Sequence, residues 1–147
     1  MGKENSIANQ LNSLLANYQI YYQNLRGFHW NIQGRDFFEL HIKFEELYND
    51  AAIKIDEVAE RILTIDATPI HSFADYLAVA TLEAKTNVHK GKDGVETIVN
   101  NLRAIVKQQK EIRKNAEDSD DGATADMMAT FIEEQEKTLW MYKAWLK

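Results

Sequence analysis

Cysteine is absent from these 147 residues, proline occurs once and glycine six times. Without cysteine there is no disulfide, no thiolate metal site and no thiol nucleophile. Turn-forming residues are too sparse for a many-turned β protein, and a 45% hydrophobic content is too rich for a disordered chain. The first 25 residues hold no apolar run long enough for a secretory signal or a membrane span, so a cytoplasmic location is expected. Excess positive charge is missing as well. With 17 Lys and Arg against 23 Asp and Glu the net charge is −6, which disfavours a body that binds nucleic acid by neutralising phosphates. The length fits one domain over residues 1–147 with a single core.

What the sequence does contain is apolar periodicity of the helical kind. Ile7, Leu11, Leu14, Leu15, Tyr18, Tyr21, Tyr22, Leu25 and Phe28 recur at helical spacing and predict a first long helix over 6–33, broken at Gly34. Asp36 is placed to cap a second, whose stripe runs Phe37, Leu40, Phe44, Leu47, Tyr48, Ala51, Ala52, Ile55, Val58, Ala59 and Ile62 and ends near Asp66, before Pro69. Ser72, with Asp75 three places on, predicts a short helix over 72–80. Residues 89–94 read as a loop. A third long helix follows from Val95, and a fourth from Ala123 through Leu146, with the acidic run 117–121 between them as a solvated connection. The expected fold is all-α: four long helices packed as a bundle, with a short extra helix in the long crossover between the second and third.

Metal sites inside such bundles commonly use Glu-x-x-His twice. Arg26, Phe38, Thr68 and Thr86 stand three places before His29, His41, His71 and His89, so that motif does not occur and a di-iron site inside one bundle is not expected. The second helix carries a different pattern in His41, Glu45, Asp56 and Glu60. At helical pitch these four fall within about 100° of arc, yet His41 and Glu60 stand about 28 Å apart along the axis, beyond the reach of one ion. His41 and Glu60 are equidistant from the midpoint between residues 50 and 51, as are Glu45 and Asp56. Two copies of the helix crossing antiparallel about a two-fold axis at that midpoint would set His41 of each chain opposite Glu60 of the other, with His29 completing the imidazole side. An exposed acidic face is the commoner explanation of such acids, yet the crowding of Asp56, Glu57 and Glu60 calls for compensation by Arg61, Lys54 or a bound cation.

The segments 24–31, 34–41, 44–48 and 55–62, containing Gly27-Phe28-His29-Trp30-Asn31, Asp36-Phe37-Phe38-Glu39-Leu40-His41 and Ile55-Asp56-Glu57-Val58-Ala59-Glu60-Arg61, strongly resemble the Dps proteins, the mini-ferritins. The segment from Asp126 through Trp140 to Leu146 resembles the last helix of that family. The resemblance implies a ferritin-like bundle assembling into a hollow dodecamer. It implies oxidation of Fe(II), with hydrogen peroxide preferred over dioxygen, at di-iron ferroxidase sites on two-fold interfaces, and storage of the ferric product within the shell. His29, His41, Asp56 and Glu60 match the family's ligands, while Glu45 stands where Asp is usual. Trp30 and Trp140 match aromatic positions near the site, with packing anchors at least as good a reading of them, and Asp121 and Asp126 are candidates for acidic pores, although helix capping explains acids there too. Imidazole and carboxylate suit Fe(II) and also admit Zn(II) as a competitor. Two other readings are a DNA-binding nucleoid protein and a helical scaffold without metal chemistry. DNA binding is not expected, because Lys3 is the only basic side chain in the first 25 residues.

Overall fold

Periodicity becomes packing most directly in the first helix. In the computed structural model, which describes residues 3–147 and their side chains from residue 7 onward, α1 spans Lys3–Asn31. Ile7, Leu11, Leu14, Leu15, Tyr18, Leu25 and Phe28 on it are essentially fully buried. Four further helices follow: α2 (Phe37–Thr64), α3 (Phe73–Val79), α4 (Gly91–Asp118) and α5 (Gly122–Leu146). No strand occurs among the described residues; Gln33 and Lys90 form an isolated bridge. α1 lies along α2, α4 lies along α5, α1 also meets α4, and α3 rests on α1. This is the expected all-α bundle with a short helix in the crossover.

Ser72 caps α3 as expected, its hydroxyl accepting from the Asp75 N–H at 3.2 Å. Three asparagines on α1 pin the rest of the crossover. Asn12 binds the Thr68 carbonyl and Ile70 N–H, Asn17 accepts from Thr81 and Leu82, and Asn24 binds the Glu83 carbonyl and Lys85 N–H. Each side-chain amide satisfies backbone groups of a segment that has little regular structure of its own.

Several expectations are corrected. Residues 91–94 are helical rather than loop, because α4 begins at Gly91. Packing is tight at Gly91, where a Cβ would stand 2.7 Å from Leu40 Cδ1, whereas one on Gly94 would make ordinary contact with the Phe44 ring at 3.5 Å. Asp36 occupies the N-cap position of α2 without making a side-chain cap bond. Ala52, placed in the apolar stripe, is exposed, whereas Lys54 is only 3% exposed. The acidic run is not simply solvated. Glu117 and Asp118 finish α4, and Asp121 caps α5 by accepting from the Thr124 N–H.

The bundle interior is closed by neutral polar groups as well as by hydrocarbon. The Tyr18 hydroxyl donates to Gln109 Oε1, Gln109 Nε2 to Gln135 Oε1 at 2.6 Å, and Gln135 Nε2 back to the Tyr18 oxygen at 2.8 Å. This ring ties α1, α4 and α5 together with every member paired. Nearby, the Lys54 ammonium of α2 lies over the Phe131 ring and binds Asp50 and Glu134 at 2.8 and 2.7 Å. Burial alone would lower its pKa, but the two carboxylates outweigh that and hold it above the ordinary lysine value, so it stays charged.

Candidate metal centre

The turn between α1 and α2 determines how the histidines meet. α1 ends at Asn31, Gly34 takes φ +105°, a left-handed conformation open to glycine, and α2 begins at Phe37. The antiparallel return brings the last turn of α1 beside the second turn of α2. His29 Nδ1 lies 2.6 Å from the His41 carbonyl, and His41 Nδ1 lies 2.7 Å from the His29 carbonyl. The His29 carbonyl belongs to the last turn of α1, where it lacks an intrahelical partner. The two imidazoles stack at 3.7 Å between centroids and 11° between planes. Phe37 stacks on the outer face of His41 at 4.9 Å, and Tyr48 meets His29 edge-on at 5.3 Å.

A carbonyl only accepts, so each Nδ1 carries a proton, and Nε2 is the ring nitrogen that each histidine has left to offer a ligand. Fixing the tautomer and orientation of a ring through a backbone carbonyl is what the outer shell of a metal site does. His29 is buried and His41 half-buried. Glu45, one turn after His41, is exposed, and its Oε1 lies 3.6 Å from His29 Nε2. This contact is too long for a hydrogen bond.

Asp56 and Glu60 are exposed further along α2. The expected counterions do not serve them: Lys54 is taken by Asp50 and Glu134, and Arg61 by Asp121 at 2.9 Å. Within one chain the structure therefore brings His29, His41 and Glu45 together and leaves Asp56 and Glu60 apart from them, about 16 Å or more along the helix. Among the described residues no three His, Asp or Glu side chains of one chain form a group that could hold an ion.

The sequence reading missed the surface around these acids. Phe38, Ile42, Asn49, Ala52, Ile53 and Leu63 are exposed on the same face of α2 as Glu45, Asp56 and Glu60, the whole set spanning about 100° at helical pitch. Phe38 and Leu63 are equidistant from the midpoint between residues 50 and 51, as are Asn49 and Ala52. The signal was present as apolar residues lying outside the core stripe. Trp30 and Trp140 are 55% and 63% exposed, so neither anchors the core of its own chain; the Arg26 guanidinium lies 4.8 Å from the Trp30 ring.

Asp121 has two occupations at the start of α5. It caps Thr124 N–H at 3.1 Å and accepts the Thr124 hydroxyl, and it binds Arg61. Partial burial raises its pKa, but these bonds from Thr124 and Arg61 prevail and hold it below the ordinary carboxylate value. Asp126 is exposed on the following turn.

Comparison with known proteins agrees with this architecture. The family model described as a ferritin-like domain matches residues 8–147. The crystal structure of a Dps protein from Vibrio cholerae O1, described as a member of a broad superfamily of ferritin-like diiron-carboxylate proteins, superposes with a TM-score of 0.98 at 48% identity, covering 99% of this chain and 91% of that one. Proteins called DNA protection during starvation protein are 40% identical in Brevibacillus brevis, over 96% of this chain and 95% of that protein, and 40% identical in Porphyromonas gingivalis, over 92% and 85%.

Proposed function

Because the chain belongs to the ferritin-like domain family, and within it to the Dps proteins, we propose that it is a ferroxidase that oxidises Fe(II) with hydrogen peroxide and stores the ferric product. The observation that carries this reading is the reciprocal lock of His29 and His41, which orients the Nε2 atoms of both rings beside the carboxylate-bearing face of α2. The acids that face lacks within reach come from a second copy. An antiparallel crossing of two α2 helices puts Asp56 and Glu60 of one chain beside His41 and Glu45 of the other, and His29 with them. The same crossing covers Phe38, Ile42, Ile53 and Leu63, whose exposure in one chain would otherwise be costly.

The chemistry is a two-electron reduction. Two Fe(II) each give one electron to one peroxide, its O–O bond breaks, and with two protons two waters form. Pairing the electrons avoids release of hydroxyl radical. Few protein ligands per ion leave positions open for peroxide, or for dioxygen as the slower oxidant, and Zn(II) competes for the same donors. In this reading the assembly is a cytoplasmic dodecameric shell of one-domain chains, Asp126 with Asp121 lines an acidic route for iron, and Trp30 and Trp140 stand near the site. A nucleoid-binding role is the second reading, favoured by the names of the Brevibacillus and Porphyromonas relatives.

The test is anaerobic loading of the purified oligomer with Fe(II), then peroxide, following ferric absorbance and counting iron retained after desalting. Rapid oxidation with retained iron is expected. A protein that neither speeds oxidation nor keeps iron would return the chain to the DNA-binding or scaffold reading.

A further inference from the structure

α2 and α5 do not pack as closely as α1 on α2 or α4 on α5. Side chains bridge them instead: Lys54 reaches Glu134 at 2.7 Å, and Arg61 reaches Asp121 at 2.9 Å. Met127, Glu134 and Met141 recur at seven-residue intervals on α5 and so share the edge of the helix that meets α2. A methionine therefore stands roughly two helical turns to either side of the Glu134 bridge, each in its own groove. The Met127 groove, about 450 Å³, also has Glu57 and Thr64 in its walls. The Met141 groove, about 260 Å³, is lined by Leu40, Leu47, Tyr142 and Trp145.

The methionines differ in access to solvent. Met141 is 46% exposed, Met127 is half-buried, and Met128 is fully enclosed in the core. Met1 lies outside the described residues. A thioether is oxidised by peroxide only where peroxide reaches the sulfur, and the sulfoxide that forms is polar. At Met128 such a dipole would disrupt the core. At Met141 it opens to water, and the groove already holds a donor for the new oxygen in the Lys43 ammonium, which binds Glu46 at 3.2 Å and has further N–H groups to give.

We propose that Met141 is a modification site, a thioether that consumes one hydrogen peroxide per chain and becomes the sulfoxide without loss of the fold. A sulfur lone pair attacks one peroxide oxygen, the S–O bond forms and the O–O bond breaks. The second oxygen leaves as water, taking the proton from the oxygen that was transferred. Sulfur gives up two electrons and peroxide accepts them, so neither a metal nor a radical takes part. The step shares the oxidant of the reading above and none of its ligands. The ion pairs that join α2 to α5 contain no sulfur and persist, which is why the bundle tolerates the change. Methionine sulfoxide reductases return the thioether, so the side chain can serve repeatedly.

The test uses metal-free oligomer, a chelator and hydrogen peroxide. Tandem mass spectrometry of quenched time points gives the rate of oxygen addition at each methionine, in the folded oligomer and in urea. When folded, Met141 is expected to react fastest, Met127 several times more slowly, and Met128 not until the chain unfolds; in urea the three rates converge. Oligomer oxidised at Met141 alone should keep its size-exclusion elution and helical circular dichroism, and reductase treatment should restore its original mass. Met141→Leu keeps the apolar volume and should remove one equivalent per chain from the early phase of peroxide consumption. If Met141 reacts no faster than Met128 in the folded oligomer, or the early phase survives in Met141→Leu, the assignment is overturned. Collapse of the oligomer on oxidation at Met141 alone would overturn its tolerance of the change. No iron is present, so the ferroxidase reading stands or falls separately, on the iron-loading experiment.

Discussion

Arg61 of α2 reaches Asp121 at the N-cap of α5 at 2.9 Å, while its Nε donates to the Thr124 hydroxyl that Asp121 also binds. One carboxylate thus caps a helix and ties it to the end of α2. Asp126, one turn on, is the exposed one of the two acids in the proposed iron route.

Asp121→Ala is therefore expected to lower stability by about 1–2 kcal/mol through loss of the cap, whereas Asp126→Asn leaves stability unchanged and slows iron uptake at low salt. Thermal melts and initial uptake rates at two ionic strengths read the two effects. Because the Asp121 pKa is depressed in the folded chain, its contribution is fully present above the ordinary carboxylate range. It is lost as pH falls through the depressed value, so wild type and Asp121→Ala should converge in stability under strong acid. Slower uptake in Asp121→Asn alone, with the melt unaltered, would reverse these roles.

Lys54 is buried but charged, and its two carboxylates are half-exposed. Removing the acids with Asp50→Asn and Glu134→Gln strands the cation and should cost about 3 kcal/mol. Lys54→Met keeps the apolar stem and frees two solvated acids, and its cost should be about 1 kcal/mol or less. Chemical denaturation of the three proteins decides this; equal losses would mean that burial of the charge is not what sets the cost.

The intersubunit reading predicts complementation. His29→Ala with His41→Ala, and Asp56→Ala with Glu60→Ala, should each be inactive alone, since both sites of either homodimer are incomplete. Refolded together, a mixed dimer concentrates both defects in one site and leaves the other whole. Recovery of oxidation in mixed oligomers, up to one working site per mixed dimer, is expected. Absence of recovery in verified mixed dimers would place all the ligands of a site on one chain.

DNA affinity should be weak at physiological salt, but the fold adds a basic stripe that composition concealed. Arg103, Lys107, Lys110 and Lys114 are exposed along one face of α4, with Lys110 paired to Glu136 at 3.1 Å. So few charges against a net −6 per chain release few counterions. Any mobility shift at low salt should vanish by roughly 150 mM, and should be abolished by Arg103→Glu with Lys107→Glu. A shift that survives this salt would favour the nucleoid role.

Helix number and order, the cap at Ser72, and the shared face of His41, Glu45, Asp56 and Glu60 were all readable in the chain alone, because apolar period and helical pitch are local properties. The mirrored spacing about residues 50 and 51 was readable for the same reason. Local pattern could not tell which apolar residues of α2 belong to the core: Ala51, Ala52 and Ile53 are all apolar, and only tertiary packing takes Ala51 into the core cluster and leaves the other two exposed. Nor could it show that Lys54 is buried, since that depends on Phe131 and on Glu134, which stands 80 residues later along the chain. Gly91 and Gly94 read as a loop by composition, yet both lie in the first turn of α4, where Leu40 crowds Gly91. The lock between His29 and His41 is the clearest case. Both residues were identifiable from spacing, but which nitrogen of each ring is free follows from the carbonyl it meets across the turn, and only the tertiary structure brings that carbonyl within 2.7 Å.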